Sequence, residues 1–296
     1  MNYYNEIKTQ ILNNEITKRV KDYSKNKSDL TTYYNVGKLL SEAGKHYGEG
    51  IIKEYSERLS KELNKKYELR TLYRIRQFYY FIEIQKMTPL VTQLTWSHYI
   101  LLMSLKNKAE INYYIDMTLK NNLSKRQLQE CIKNKEYERL DESTKLKLIK
   151  EEELKLEDTI KNPIIISNKF NYEIVSEKIL QNLILENIAE FMKELGNSFS
   201  FIGSEYPIKI GCNYNYIDLL LYNIEFNCYV VIELKVTELK KEHIGQIEVY
   251  INYIDKNLRK QMQDKTIGII LCRKDNKFIM EYCSDERIKV REYSLT

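Results

Sequence analysis

Apolar residues recur at helical spacing through the first half of the chain, at Ile7, Ile11 and Leu12 and again at Tyr33, Tyr34, Val36, Leu39 and Leu40. That half therefore reads as a series of amphipathic helices. The most informative stretch is 52–84. A helix through Leu59 and Leu63 breaks at Asn64-Lys65-Lys66-Tyr67, and a second helix begins near Leu69. In this second helix Leu72, Ile75, Tyr79 and Ile82 share one face, while Arg70, Arg74 and Gln77 lie on another. Two helices joined by a short turn, the second with arginines near its start, is the arrangement by which a helix-turn-helix enters a DNA groove. Lys65, Lys66 and Arg76 are placed to hold phosphates. An ordinary helix pair with a solvated basic face has the same pattern. The Leu94-Thr95-Trp96-Ser97-His98 segment holds the only tryptophan and reads as a packing cluster.

The period changes in the second half. Ile179, Leu183, Ile184, Ile188, Phe191 and Leu195 mark one helix over 175–195, closed by Gly196. Beyond it, 199–202, 206–210, 216–222 and 229–236 alternate as strands, punctuated by Gly203, Gly211 and Asn223. A helix over about 240–253 follows. The apolar run Ile267-Gly268-Ile269-Ile270-Leu271 then reads as a strand covered on both faces. Between the halves, a charged helical stretch meets Pro163, which forces Asn162 out of helical geometry. The expected organisation is a helical domain over 1–150, a connecting segment over 151–170 and an α/β domain over 171–296.

Charge sharpens this division. Residues 1–150 carry 28 Lys and Arg against 18 Asp and Glu, net +10, while residues 151–296 carry 19 against 24, net −5. A basic half joined to an acidic half suits a polyanion partner for the first and carboxylate chemistry in the second. Composition, at 43% hydrophobic and 30% charged, is that of a folded globular chain. No apolar run approaches the roughly 18 residues of a membrane span, and the N-terminus lacks the stages of a secretory signal, so a cytoplasmic protein is expected. The five cysteines form no C-x-x-C pair and, with three histidines, read as buried reduced thiols rather than a zinc site.

The chemistry lies where charge interrupts apolar strands. Asp218 falls in Tyr216-Ile217-Asp218-Leu219-Leu220-Leu221, and Glu233 and Lys235 fall in Val230-Val231-Ile232-Glu233-Leu234-Lys235-Val236. A buried charge costs several kcal/mol unless it is paired or bound to a metal. Glu233 and Lys235, two apart, point to one face of their strand. With Asp218 on the neighbouring strand, two carboxylates and an ammonium converge, a donor set suited to Mg²⁺, with Mn²⁺ as substitute. Lys235 would orient or deprotonate an attacking water. On the next helix Gln246 and Tyr250, four apart, share a face that looks toward Glu233 and Lys235 or toward DNA. A structural ion pair at the edge of a sheet is the bland alternative.

These residues carry a resemblance. Ile217-Asp218, Glu233-Leu234-Lys235 and Gln246-x-x-x-Tyr250 resemble the PD-(D/E)XK nuclease superfamily and the glutamine-tyrosine motif of its RecB-like branch. Over nearly its full length the chain resembles the YhcG-like PDDEXK family, through Tyr47-Gly48, Arg76-Gln77-Phe78-Tyr79, Leu94 to His98, Glu194-Leu195-Gly196, Ile217 to Leu220, Val231 to Lys235, Gly245-Gln246 and Ile267 to Cys272. The resemblance implies an N-terminal all-helical domain and a C-terminal restriction-endonuclease-like α/β core with a central mixed sheet. It implies Asp218 and Glu233 as metal ligands and Lys235 as the catalytic lysine. Tyr216-Ile217 stands where the superfamily's name expects a proline. The superfamily also draws a glutamate from the first helix, here Glu186, Glu190 or Glu194, of which Glu186 is the choice.

The expected function is a Mg²⁺-dependent nuclease acting on DNA, gripped by Lys65, Lys66, Arg70, Arg74, Arg76 and Gln77, and working singly or as a homodimer. The alternatives are a silent DNA-binding or assembly protein that keeps the fold, and an RNA-directed nuclease.

Overall fold

The structure is a computed structural model that describes residues 3–20, 25–85, 94–172, 175–196, 198–276, 279–280, 283 and 285–296. The chain divides into two compact units, Met1–Tyr137 and Glu138–Thr296. Among the described residues no helix is long and apolar enough to cross a membrane.

The first unit is helical: α1 (Tyr3–Val20), α2 (Lys25–Tyr47), α3 (Ile51–Glu62), α4 (Leu69–Gln85), α5 (Trp96–Leu102), α6 (Lys108–Asn121) and α7 (Lys125–Lys133). The break read from Asn64 to Tyr67 separates α3 from α4. Asn64 takes a positive φ of 47°, and Ser60 Oγ accepts the Tyr67 N–H at 2.9 Å. Along α4 the buried stripe is Leu72, Ile75, Phe78, Phe81 and Ile82, with Tyr79 half-buried. A Cβ on Gly37 would stand 2.4 Å from the Ile75 carbonyl oxygen, so α2 and α4 cross where only glycine fits. Trp96 packs 4.6 Å from the Tyr33 ring and 5.4 Å from Phe78, centroid to centroid. His98 Nδ1 accepts the Thr95 N–H at 3.2 Å and caps α5. Both side chains are structural, as their spacing predicts.

The second unit adds α8 (Glu142–Lys150), α9 (Leu156–Thr159), β1 (Ile164–Ile166), α10 (Glu177–Glu186), α11 (Ile188–Leu195), β2 (Phe199–Ile210), β3 (Asn213–Asn223), β4 (Cys228–Glu238), α12 (Lys241–Asn257), β5 (Ile267–Lys274) and β6 (Ile288–Leu295). The strands form one mixed sheet in the order β1-β6-β5-β4-β3-β2. β2, β3 and β4 are antiparallel neighbours, whereas β4, β5, β6 and β1 run parallel. One face carries Leu219, Leu221, Val230, Ile232, Leu234, Ile269 and Leu271 against α10 and α11; the other carries Leu220, Val231, Ile270, Cys272 and Val290 against α12. Burial on both faces explains the unbroken apolar runs of β4 and β5.

The structure corrects several expectations. Residues 151–170 are not a connector: α9 and β1 lie in the second unit, and Leu156, Ile160, Ile164 and Ile166 are buried in its core. The helix over 175–195 is two helices, because Asn187 leaves helical geometry at φ −124° and ψ 35°. The segments 199–202 and 206–210 are one strand, kinked where the register shifts at Phe201/Gly203. β6 went unread because Lys289, Arg291 and Glu292 mask its period. Arg291 nevertheless points inward: its Nε donates to Ile160 O at 3.0 Å and its Nη2 to Asp141 Oδ2 at 2.8 Å. Cys228 and Cys272 are buried, and burial pushes both thiols up to about 12; Cys212, by contrast, is exposed.

Candidate active site

Asp218 and Glu233 stand on β3 and β4, at the seam where the sheet changes from antiparallel to parallel. The β3–β4 ladder runs from Asn223↔Cys228 to Leu219↔Ile232, and its next step sets Asp218 opposite Glu233. There the pairing stops. The Leu234 N–H is taken by the Asp218 side chain, Oδ2, at 2.8 Å. On its other side β4 stays paired with β5 through Lys235↔Cys272. Asp218 thus closes the split between two strands and brings its carboxylate beside that of Glu233.

Glu233 is 2% exposed and Lys235 9%. The alternation of β4 puts both on the side of Val231, the face covered by α12. Lys235 Nζ bonds Glu233 Oε1 at 2.9 Å and lies 3.7 Å from Glu177 Oε2. Glu233 Oε2 is buried without a hydrogen-bond partner. Burial raises the Glu233 carboxyl to about 7, the Asp218 charge adds to the rise, and Lys235 opposes it. Burial also raises Asp218, against the pull of the Leu234 N–H. For Lys235, burial favours loss of the proton, but the Glu233 hydrogen bond and the charges of Glu233, Glu177 and Asp218 outweigh it and hold the ammonium above its ordinary range.

On α12, Gln246 Nε2 donates to Tyr250 Oη at 3.1 Å, and Tyr250 is 5% exposed. Tyr250 packs with Val231 on the face of the sheet that carries Glu233 and Lys235; burial raises its phenol, the Gln246 hydrogen bond opposes this, and the charges of Glu233 and Asp218 add to the rise. One turn earlier, His243 Nδ1 accepts the Lys240 N–H at 3.1 Å. Burial, with Lys235 and Lys240, lowers the His243 pKa.

The structure thus brings together Asp218, Glu233 and Lys235, with Gln246 and Tyr250 alongside. It does not bring in Glu186. That residue is exposed at the last position of α10, about 13 Å along the axis from Glu177 at the first. Glu190 is also exposed, and Glu194 is bound to Arg139 and Lys161. The helix glutamate beside Lys235 is Glu177, which counting back from Phe199 missed. Its signal was Ser176, whose hydroxyl caps the Ile179 N–H and starts the helix there.

Two carboxylates, one with a free buried oxygen, fit a hard divalent cation that keeps several waters. Among the described residues no group of three or more His, Cys, Asp or Glu is placed to hold a metal ion, which leaves the two carboxylates Asp218 and Glu233 as the donors at this site.

In the helical unit the basic residues divide. Lys65 pairs with Glu15, Lys66 with Glu68 at 2.8 Å, and Arg76 with both oxygens of Glu49 at 2.7 and 2.8 Å. Gln77 Nε2 reaches Met103 O at 3.4 Å. Arg70 and Arg74 have no ion pair among the described residues; Arg70 is exposed and Arg74 half-buried.

Residues 157–296 match the family model of the YhcG PDDEXK nuclease domain, and residues 6–139 match that of the DUF1016 N-terminal domain. The chain belongs to the YhcG-like PDDEXK family. It is 26% identical to "Putative nuclease YhcG" of Escherichia coli (strain K12) over 283 residues, covering 81% of this chain and 76% of that protein. It is also similar to solved structures described as a repair endonuclease from Pyrococcus abyssi, at 22% identity, and as an EndoMS-dsDNA2 complex, at 20%. Both have a TM-score of 0.30 and cover 41% of this chain. The chain spans just under half the length of those structures, 48% and 47%, and so loose a superposition fixes no residue of this site. The PDDEXK nuclease domain of the family coincides with the unit that holds Asp218, Glu233 and Lys235.

Proposed function

We propose that this member of the family is a divalent-cation-dependent nuclease that hydrolyses phosphodiester bonds in DNA, with Mg²⁺ the cation and Mn²⁺ a substitute. The observation that carries the reading is the Glu233 carboxylate, buried yet with Oε2 unpartnered, next to Asp218 and Lys235. Leaving such an oxygen unpaired is costly, and a cation removes the cost. Asp218 and Glu233 would hold the ion, which when bound supplies positive charge to the phosphate oxygens and acidifies a water.

The protein's own groups do the rest. The Lys235 ammonium, bonded to Glu233, would donate to an oxygen gaining negative charge or orient the attacking water. Glu177 and Glu233 fix the ammonium from two sides. The Asp218–Leu234 hydrogen bond fixes the carboxylate against rotation. Gln246 and Tyr250, bonded to each other, wall the acids on the α12 side and offer polar atoms to the substrate strand. In the helical unit Arg70 and Arg74 contact DNA phosphates, aided by Lys65, Lys66, Arg76 and Gln77.

Purified Lys235→Ala should lose Mg²⁺-dependent cleavage of duplex DNA while binding it nearly as the parent does. Undiminished cutting by the variant overturns the reading. Parallel duplex, single-stranded, branched and RNA substrates separate a DNA-directed from an RNA-directed enzyme, and cleavage of none leaves a DNA-binding protein.

A further inference from the structure

The alternation of β3 slips at Asp218. Leu219 and Leu221 pack on the α10–α11 side of the sheet and Leu220 on the α12 side, as a regular strand requires, yet Ile217 also packs on the α12 side, an odd step from Leu220. The neighbouring strand departs from regular geometry at the same place. The β2–β3 pairing passes from Ser204↔Leu219 to Tyr206↔Ile217, and the residue left between them on β2, Glu205, takes a left-handed φ of 47°. Glutamate has no preference for that region, and such a conformation persists only where its surroundings hold it.

The hold comes from the start of α10. Gln181 is 4% exposed and lies among the buried residues of that helix, with Leu180, Leu183 and Ile184. A buried amide is costly unless both its ends are answered, and here both are. Gln181 Nε2 donates to the Asp218 main-chain carbonyl at 3.2 Å, and its Oε1 accepts from Lys178 Nζ at 3.3 Å. A carbonyl can only accept and an ammonium can only donate, so the amide has one orientation. Lys178 Nζ also donates to Glu205 Oε1 at 2.5 Å. The two residues at the slip, Asp218 and Glu205, are thus tied to one turn of α10, and Glu177, which precedes Lys178, lies 3.7 Å from Lys235 Nζ.

We infer that Gln181 is a positioning residue of the cation site: by holding the Asp218 peptide toward α10, it sets the Asp218 carboxylate on the Leu234 N–H and beside Glu233. The inference rests on the nuclease reading of the same site. Asp218 is fixed at both ends, its carbonyl by Gln181 and its Oδ2 by the Leu234 N–H at 2.8 Å. A ligand so anchored loses little freedom when the ion arrives. Without the amide donor the carbonyl must find another partner, the peptide turns, and the carboxylate moves with it. Partners that orient a ligand in this way change metal affinity by about 10- to 100-fold. A buried glutamine that only filled the core would leave the ion unaffected.

Mn²⁺ is titrated into the full-length protein and the free ion followed by electron paramagnetic resonance, with folding checked by circular dichroism. Gln181→Met, which keeps the volume and removes the donor, should weaken Mn²⁺ binding ~10-fold or more, and the Mg²⁺ needed for half-maximal DNA cleavage should rise in step. Gln181→Asn, whose amide falls one carbon short of the Asp218 carbonyl, should weaken binding in the same direction and carries the test if the methionine variant does not fold. Thr266→Val removes a buried hydrogen bond to Asp255 at the end of β5 away from Lys235↔Cys272, and should leave Mn²⁺ affinity within ~2-fold of the parent. Unchanged Mn²⁺ affinity in a folded Gln181 variant, or an equal loss in Thr266→Val, overturns the inference and makes Gln181 a residue of the core alone. Failure of the nuclease reading shows separately, as a parent protein that neither binds Mn²⁺ nor cuts nucleic acid.

Discussion

The two units treat charge in opposite ways. In the helical unit, basic residues sit at the surface and are largely answered by neighbouring acids: Lys8–Glu62, Lys65–Glu15, Lys66–Glu68 and Arg76–Glu49. In the sheet unit, charges go inside. Glu233, Lys235 and Arg291 are all under 10% exposed, and Glu194 is held between Arg139 and Lys161. Surface pairs contribute roughly 0–1 kcal/mol each, whereas an uncompensated buried charge costs several. A net charge of +10 is therefore weak evidence of function, and three charges in two apolar strands are strong evidence.

The largest expected effect tests that contrast directly. Lys235→Ala should lower the cleavage rate by ~10³-fold or more, since it removes a buried charge that stabilises the transition state. Arg74→Ala, one half-buried cation of a broad contact, should lower it by less than ~10-fold. Comparable losses from the two variants, measured under single-turnover conditions with saturating Mg²⁺, would erase the difference between the units.

Next in size is a stability effect. Glu194 neutralises Arg139 and Lys161, whose side chains are 10% and 5% exposed, and it accepts the Ile165 N–H at 3.0 Å. Glu194→Gln removes the carboxylate that both buried cations share and should cost about 3–5 kcal/mol by urea unfolding. The exposed Glu68→Gln in the helical unit should shift the unfolding midpoint far less than Glu194→Gln does.

The units should also answer pH with opposite signs. Glu233 is raised from 4.5 to about 7 in the folded chain. Between those values the native state keeps a proton that the unfolded chain has released. Stability of the sheet unit then falls as pH rises from about 4.5 to about 7, by on the order of 3 kcal/mol for this group alone. His98 in the helical unit is lowered from 6.5 by burial. Below 6.5 the unfolded chain binds a proton that the native imidazole resists, so this unit loses stability as pH falls. Trp96, the only tryptophan, packs in the helical unit, and its fluorescence follows that unit while circular dichroism follows both. His243 is lowered as His98 is and opposes Glu233 within the sheet unit, so the difference between the parent and Glu233→Gln reads the buried Glu233–Asp218 pair apart from the histidines. An unchanged slope in Glu233→Gln would contradict the raised carboxyl.

How far the sequence could be read follows the same physics. The α3–α4 break, β4 and β5 were legible because period and burial agreed there. Asp218, Glu233 and Lys235 were legible because charge violated that pattern. β6 was hidden because Arg291 violates it too, for a structural purpose: it satisfies the Ile160 carbonyl and pairs with Asp141. Local alternation cannot distinguish a charge buried for chemistry from one buried to hold a distant segment. Glu177 escaped for another reason. Its role depends on which end of α10 meets the split between β3 and β4, a tertiary fact that spacing along one helix does not contain.

The smallest expected effect decides which basic residues of the helical unit matter. Lys65, Lys66 and Arg76 already spend their charge on Glu15, Glu68 and Glu49, so binding a phosphate through them means exchanging one anion for another. Arg70 and Arg74 make no such pair among the described residues and can neutralise phosphates outright. Each phosphate neutralised on duplex DNA contributes about −0.9 to the slope of log K against log salt. Arg70→Ala and Arg74→Ala should therefore each reduce the slope magnitude by about 0.9, and Lys65→Ala and Lys66→Ala by well under half of that. If the lysine variants flatten the slope as much as the arginine variants do, the surface pairs open when DNA arrives, and the charges of the helical unit are a reserve for the polyanion rather than internal ties.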